Sequence, residues 1–379
     1  MTREAFDLTS ALRPRLPSPL QPVEDERFAR HGVRLLLKRD DLIHPDIPGN
    51  KWRKLVPNLH AAAGRPLLTF GGAYSNHLRA TAAAGRLLGF TTIGIVRGDE
   101  LASRPLNPSL SRCAADGMHL HFVDRAAYRG KDDPEVRERI LTAAAQALEQ
   151  RWARGAADGG DRGPQDRHPS APVGPPPDHA HRAGPTTDGA RGCPQGPGGP
   201  AHGSGRGGPG GPAHGSGQGG TGDIYVVPEG GSNALAAHGC TALGHELRDV
   251  TDVVAVACGT GGTVAGLAAG LGPGRRAIGF PVLKGGFLGD SIRTLQLEAF
   301  GGPVGDWSLD GRFHFGGYAR TTPRLDAFAA DFEARHGLPV ERVYVAKMLY
   351  GLTVLAAEGA FPPGTTVAAV ITGQGASSR

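Results

Sequence analysis

The stretch Asp252–Thr263 has the sequence DVVAVACGTGGT, in which a run of small apolar residues leads directly into a glycine-rich turn. The valines of this run favour a buried β-strand, and the glycines allow a sharp turn into a helix that we predict over Thr263–Ala269. Exposed N–H groups at the start of such a helix attract anions, and phosphate is one candidate ligand. A tight turn that binds nothing is the alternative interpretation.

The same pattern of strand, glycine-rich turn and helix recurs along the chain. Pro66–Phe70 is a predicted strand, and FGGAYSNH (residues 70–77) turns the chain into a predicted helix through Leu88. Ile224–Val227 is another predicted strand, followed by PEGGSN (228–233) and a helix over Ala234–Leu247. Strands that alternate with helices form βαβ units. We therefore predict an α/β fold with two open, twisted, mostly parallel sheets flanked by helices, with ligands at the carboxyl ends of the strands.

The composition excludes several classes of protein. The 379 residues include 41 Lys+Arg and 36 Asp+Glu, and the resulting net charge of +5 is too small to indicate nucleic-acid binding. No apolar run approaches the ~20 residues of a membrane span. The four cysteines lie far apart without a CxxC pair, so we expect no metal site and a cytoplasmic, reducing location. The hydrophobic fraction of 39% still allows a sizeable core.

Residues 151–222 differ from the rest of the chain. They contain 22 Gly and 12 Pro, and they include a tandem repeat, GPGGPAHGSGRG at Gly196–Gly207 and GPGGPAHGSGQG at Gly208–Gly219. A segment with so few large apolar side chains cannot offset its ordering entropy by burial. We predict a disordered Gly/Pro/His-rich insertion. Weak metal binding by its histidines is the less favoured alternative.

Two further motifs indicate chemistry. Gly49-Asn50-Lys51 begins a predicted helix, where the positive potential of the helix dipole lowers the pKa of a lysine and makes its amine a better nucleophile. The turn FGGAYSNH directs N–H groups and small polar side chains to the end of a strand, which suits a carboxylate. A phosphate site, a nucleophilic lysine and a carboxylate site together suggest pyridoxal phosphate acting on an amino acid. An ordinary surface lysine and a helix cap are the alternatives.

Six motifs in a fixed order make this interpretation specific. The chain resembles the 1-aminocyclopropane-1-carboxylate deaminase/D-cysteine desulfhydrase family of fold type II pyridoxal phosphate enzymes, which are similar to the tryptophan synthase β subunit. The resemblance covers about residues 33–150 and 223–372. The motifs that carry it are KRDDLIHPDIPGNKWRK (38–54), FGGAYSNH, PEGGSN, CGTGGT (258–263), LKGG (283–286) and HFGGY (314–318).

The resemblance implies a role for each matching residue. Lys51 matches the lysine that binds the cofactor covalently, Lys54 matches a phosphate-side lysine, and Asn76 matches the residue that bonds the pyridine hydroxyl. Ser75 matches a serine near the substrate carboxylate that handles protons. The other implied site residues are the phosphate loop Gly259, Thr260, Gly261, Gly262 and Thr263, the active-site tyrosines Tyr318 and Tyr344, and the substrate-side His77. Without the neighbouring motifs, the tyrosines could be core aromatics.

The chain departs from the family pattern next to the expected substrate. Val345 follows Tyr344 where the family has a polar residue near the pyridine nitrogen, so Thr372 becomes the candidate partner of that nitrogen. Tyr74 replaces a common glutamine before Ser-Asn. The triplet that ends in His77 is more similar to the desulfhydrase branch than to the deaminase branch.

The resemblance also implies a domain organisation and an activity. We expect a large cofactor-binding domain (residues 1–45 and 223–379), a small α/β domain (46–150) and a homodimer. The expected activity converts a small amino acid, D-cysteine-like or 1-aminocyclopropane-1-carboxylate, to a 2-oxo acid and ammonia. A racemase or dehydratase of the same fold is one alternative, and a pyridoxal phosphate-binding protein with little turnover is another.

Overall fold

The computed structural model describes residues 8–158 and 224–373. The described parts of Met1–Glu149 and Thr221–Arg379 form one compact unit, in which strands and helices alternate. The strands are β1 (Leu20–Val23), β2 (Arg34–Lys38), β3 (Leu67–Gly71), β4 (Thr92–Arg97), β5 (His119–Val123), β6 (Tyr225–Val227), β7 (Val253–Cys258), β8 (Arg276–Pro281), β9 (Asp306–Leu309) and β10 (Thr366–Val370). The helices are α1 (Leu8–Leu12), α2 (Glu26–Ala29), α3 (Asn50–Ala62), α4 (Asn76–Leu88), α5 (Pro108–Ala115), α6 (Arg125–Arg129), α7 (Pro134–Asp158), α8 (Ala234–Leu247), α9 (Gly262–Leu271), α10 (Leu288–Phe300), α11 (Pro323–His336) and α12 (Val345–Ala357).

The larger sheet has six strands in the order β1-β2-β10-β7-β8-β9. Only β1 runs antiparallel to its neighbour, and the other pairs are parallel. Both faces are covered: α11 and α12 contribute to the core cluster on one face, and α8, α9 and α10 contribute to the cluster on the other. Burial on both faces explains why β7 is a continuous apolar run rather than an alternating one.

The smaller sheet has four parallel strands in the order β5-β4-β3-β6. The two parallel sheets flanked by helices confirm the predicted fold class. The predicted domain boundary differs from the structure at β6, because Tyr225–Val227 pairs with Leu67–Thr69 in the smaller sheet although we assigned residues from 223 onward to the large domain. The apolar pattern of a three-residue strand could not show which sheet it joins. The division into two domains stays a prediction.

The predicted insertion lies largely outside the described residues. Its first residues do not fit the prediction, because α7 continues through Asp158. The helix formers Ala and Arg are frequent in residues 151–158, and their propensity favours continuation of the helix. None of the helices in the described ranges has both the length and the apolar composition that a bilayer crossing requires.

Candidate active site

Lys51 lies in the first turn of α3 and is partly buried. Burial, followed by the positive charge of Lys54, lowers the pKa of the Lys51 amine to about 7. An amine with such a pKa is largely neutral just above pH 7 and can act as a nucleophile. The predicted direction of the pKa shift agrees with this value, but the main cause is desolvation and not the helix dipole.

The start of α3 contacts two distant segments. Gly49 has φ +68°, and a Cβ built on it would lie 1.8 Å from the carbonyl oxygen of Thr372. The Asn50 side chain donates a hydrogen bond through Nδ2 to Thr263 Oγ1 at 2.9 Å. Lys51 is therefore positioned between the end of β10 and the glycine-rich turn that follows β7. The Thr372 backbone contributes to this packing, and its role toward a pyridine nitrogen stays a prediction.

Lys54 and two hydroxyls form a polar cluster at that turn. Lys54 is 2% exposed, and its Nζ donates to Ser232 Oγ at 2.9 Å and to the Gly230 carbonyl oxygen at 3.3 Å. Ser232 Oγ and Thr260 Oγ1 lie 2.5 Å apart. A cation and two hydroxyls beside the N-terminus of α9 suit a phosphate.

Glycines bring the backbone close to this polar cluster. A Cβ built on Gly262 would lie 2.8 Å from Ser232 Oγ and 3.3 Å from Lys54 Nζ. Gly230 has φ +70°, and its Cβ would lie 2.8 Å from Thr260 Oγ1. Side chains at these positions would fill the space around the donors. The two turns PEGGSN and CGTGGT thus face each other, and the residues present fit the phosphate of pyridoxal phosphate.

The start of α4 places its three predicted site residues in different environments. Ser75 is the N-cap, and its Oγ accepts a hydrogen bond from the Leu78 N–H at 3.2 Å. Asn76 is exposed, whereas His77 is only 1% exposed. Helix capping by Ser75, the alternative role, is therefore present in the structure. It leaves the hydroxyl proton of Ser75 free to be donated elsewhere.

The imidazole of His77 is held in one tautomer. Thr69 Oγ1 donates to the Val227 carbonyl oxygen at 2.9 Å, so the same oxygen accepts the hydrogen bond from His77 Nε2 at 2.8 Å. Burial, followed by the charges of Lys51 and Lys54, holds the pKa of His77 well below its ordinary value. The ring is therefore neutral, with its proton on Nε2. Nδ1 is a buried acceptor for which the described residues offer no hydrogen-bond partner.

The side chains of Tyr318 and Tyr344, the two predicted active-site tyrosines, lie next to each other. Their ring centroids are 6.0 Å apart in an edge-to-face arrangement. A Cβ built on Gly259 would lie 3.4 Å from the Tyr344 hydroxyl oxygen, which places this tyrosine beside the predicted phosphate loop. Burial, followed by the charges of Tyr318 and Glu341, raises the pKa of Tyr344 well above its ordinary value. Burial also raises the pKa of Tyr318, against a hydrogen bond with Tyr344 that lowers it.

Glu341 and Lys347 hold the tyrosines in place. The Glu341 carboxylate accepts hydrogen bonds from the N–H groups of Val343, Tyr344 and Val345 at 2.6, 2.7 and 3.2 Å. Lys347 is fully buried, and its Nζ donates to the carbonyl oxygens of His314 and Gly317, next to Tyr318. The sequence alone indicated no role for either residue, because their contacts form only in the folded chain.

Other supporting residues were present in the motifs but were not identified as site residues. Arg53 forms a buried ion pair with Asp40 at 2.8 Å, which fixes α3 against the KRDD segment, and a partly buried ion pair with Glu246 of α8 at 2.9 Å. Ser232 belongs to PEGGSN, one of the six motifs of the family resemblance, but it was not itself identified as a site residue. The presence of residues of opposite charge within one motif was the available signal for the Arg53–Asp40 pair. No group of three or more His, Cys, Asp or Glu side chains arranged to hold a metal ion occurs among residues 8–158 and 224–373.

Comparison with known proteins shows which proteins the chain is similar to. No protein-family model matches the chain. A putative 1-aminocyclopropane-1-carboxylate deaminase of Pyrococcus furiosus is 24% identical over 358 residues, which covers 86% of this chain and 81% of that protein. A mitochondrial bifunctional D-cysteine desulfhydrase/1-aminocyclopropane-1-carboxylate deaminase of Arabidopsis thaliana is 30% identical over 104 residues, or 26% of each chain.

Solved structures extend the likeness to the whole fold. The crystal structure of a homologue of 1-aminocyclopropane-1-carboxylate deaminase has a TM-score of 0.62 and 22% identity, and the match covers 96% of this chain and 94% of that one. A hydrogen sulfide-producing enzyme of Fusobacterium nucleatum has a TM-score of 0.55 at 10% identity, covering 97% and 99%. The chain is thus an enzyme with the fold of the type II pyridoxal phosphate enzymes. Within this class, it is a relative of the 1-aminocyclopropane-1-carboxylate deaminase/D-cysteine desulfhydrase family, as the six motifs predicted.

Proposed function

We propose that the chain binds pyridoxal phosphate and converts a small amino acid, D-cysteine-like or 1-aminocyclopropane-1-carboxylate, into a 2-oxo acid and ammonia. The observation that carries this proposal is the cluster of Lys54, Ser232 and Thr260 beside the amine-bearing start of α3. Lys54 and the turn Gly259–Thr263 would hold the phosphate. Lys51 would bind the cofactor covalently, and Asn76 and Thr372 would contact its ring.

The residues of the chain would divide the remaining work. When bound, pyridoxal phosphate supplies an electron sink for the pair left by a broken bond next to the substrate amine. Lys51 can accept and return a proton at Nζ, because its pKa lies near neutrality. Ser75 and Asn76 would contact the substrate carboxylate, with His77 buried beneath them.

The two tyrosines would serve as proton donors. Their raised pKa values keep both phenols protonated at neutral pH, so either hydroxyl can donate a proton to a substrate or a leaving group. The Tyr344 hydroxyl lies beside Gly259, close to the phosphate turn, whereas Tyr318 is 39% exposed and lies nearer the solvent. This difference favours Tyr344 as the proton donor at the reacting centre and Tyr318 as a residue of the entrance. We also propose that the chain has the two expected domains and forms a homodimer.

Product analysis tests the reaction. The purified protein, loaded with pyridoxal phosphate, is incubated with D-cysteine and with 1-aminocyclopropane-1-carboxylate, and the 2-oxo acid, ammonia and sulfide are measured. We expect a higher kcat/KM for D-cysteine, because a thiolate leaves readily whereas ring opening depends on a closely placed acid or nucleophile. The opposite ranking would assign the deaminase activity.

A panel of D- and L-amino acids separates the alternatives. Inversion of an amino acid without 2-oxo acid would identify a racemase, and 2-oxo acid from serine or threonine would identify a dehydratase. A visible cofactor band that no amino acid changes would identify a binding protein with little turnover. Inversion without 2-oxo acid and an unchanged cofactor band each contradict the proposed reaction, whereas 2-oxo acid from serine or threonine keeps the products and contradicts the proposed substrate.

A further inference from the structure

Arg97 is a cation at the site to which neither the motifs nor the proposed reaction assigns a role. It is the last residue of β4, at the carboxyl end of the strand. The parallel register pairs Gly71 with Val96, which brings Arg97 alongside Gly72 in the turn FGGAYSNH. A Cβ built on Gly72 would lie 3.6 Å from Arg97 Nη2. The guanidinium group therefore lies against the turn that we assign to the substrate carboxylate.

The guanidinium is oriented by a buried aromatic ring. The Arg97 guanidinium carbon lies 5.7 Å from the ring centroid of Tyr128, which is 2% exposed and packs edge-on against Phe70. A cation over an aromatic face is attracted to it without losing its hydrogen-bond donors. The stacking leaves the planar fork of N–H groups available for a carboxylate.

Two acidic residues on the neighbouring segments are already paired with other cations. Glu100 pairs with Arg125 at 2.5 Å, and Glu229 pairs with Lys131 at 3.2 Å. Within residues 8–158 and 224–373, Arg97 itself forms no ion pair. Its charge nevertheless acts on Tyr318. Burial, the largest effect, raises the pKa of Tyr318, and the positive charge of Arg97 lowers it.

We infer that Arg97 is a substrate-binding residue whose guanidinium pairs with the α-carboxylate of the amino acid held at the turn Gly72–Ser75. The inference rests on the proposed function, because it takes that turn to be the carboxylate site. A neutral backbone site binds a carboxylate through N–H groups alone. A guanidinium beside it adds a charge-assisted hydrogen bond, which a ligand without a carboxylate cannot form.

Stable conjugates of two amines, alanine and ethylamine, test the inference without turnover. The cofactor-free full chain is titrated by calorimetry with the reduced conjugates of pyridoxal phosphate with alanine, in each enantiomer, and with ethylamine, which lacks only the carboxylate. We expect Arg97→Gln to weaken binding of the preferred alanine conjugate roughly tenfold and that of the ethylamine conjugate less than about twofold. Arg97→Lys should lie between, because it keeps the charge but not the planar fork.

Arg248→Gln is the matched control, since Arg248 is exposed at the end of α8 opposite the site, and it should bind both conjugates as the parent does. The preference of the parent for the alanine conjugate should also shrink with added salt. An equal loss on both conjugates, or no loss, overturns the role of Arg97. If the role of Arg97 is overturned in this way but the parent still binds both conjugates tightly, the proposed function is not contradicted. Failure of the parent to bind either conjugate overturns both proposals.

Discussion

Gly49 and Thr372 are in such close contact that the Thr372 carbonyl oxygen occupies the space of a side chain at Gly49, 1.8 Å from where a Cβ would lie. Gly49 also has φ +68° and ψ −149°, a conformation that residues with a Cβ avoid. The contact joins the start of α3, two residues before Lys51, to the segment after β10. The position of Lys51, the candidate nucleophile, therefore depends on Gly49, because only a glycine leaves room for the segment that follows β10.

Gly49→Ala should destabilise the protein by more than about 3 kcal/mol, because the backbone conformation and the contact with Thr372 are both violated. Gly89→Ala is the matched control: Gly89 has φ +74° but nothing within 4 Å of its Cβ, so it should lose only about 1 kcal/mol. Urea unfolding of both variants measures the difference. Equal losses would show that the contact with Thr372 has no energetic weight.

Lys51→Ala should remove covalent cofactor binding without unfolding the chain. The lysine is partly buried at the unfavourable end of the helix dipole, so its loss costs little stability. Borohydride reduction followed by peptide mass mapping should locate pyridoxal phosphate on Lys51 in the parent and on no lysine in the variant. A reduced adduct on Lys54 in the parent would assign the nucleophile to that residue instead.

Lys51→Met should change the pH dependence of stability in the cofactor-free protein. The folded-state pKa of Lys51, about 7, lies below its ordinary value of 10.5, so the unfolded state binds more protons between these values. The parent should therefore gain stability relative to the variant as pH rises from about 7 to 10.5. Urea unfolding at several pH values measures this gain, with Lys284→Met, at an exposed lysine, as the control. A constant difference would contradict the lowered pKa.

Thr69→Val should destabilise the protein by about 1–3 kcal/mol, because it leaves the buried Nε2–H of His77 and the Val227 carbonyl oxygen without the Thr69 partner. Thr81→Val is a matched control. The Thr81 hydroxyl is also buried but has no partner among the described residues, so replacing it with a methyl group should be neutral or stabilising. Similar losses in the two variants would show that the Thr69–His77 hydrogen bond contributes nothing.

The tautomer of His77 can be tested by comparing the parent with Thr69→Val. Nitrogen-15 NMR of the parent should show a neutral imidazole with its proton on Nε2, because Thr69 already donates its own proton to Val227. In Thr69→Val, this tautomer loses its fixing partner, and a mixture of tautomers should appear. A charged imidazole in the parent at neutral pH would contradict the lowered pKa of His77.

The sequence by itself determined the class of fold, and it predicted most of the residues that we assign to the candidate site. The apolar run of β7 and the glycines after it predicted a buried parallel strand followed by an anion-binding turn, because these properties depend on local backbone conformation and burial. The order of six motifs predicted the family. The family resemblance in turn implies that Tyr318 and Tyr344, which are distant in sequence from Lys51, belong to one site.

Only the tertiary structure decided which residues support that site. Packing between segments that are far apart in sequence creates three contacts of the site. They are the Thr69–His77 hydrogen bond, the hydrogen bonds of the Lys54 amine to Gly230 and Ser232, and the Arg97 guanidinium beside Gly72. The placement of β6 in the smaller sheet has the same cause. Local sequence patterns indicate where a strand or a helix begins. Which strand pairs with which, and which side chains meet, depends on burial and hydrogen bonding in the whole fold.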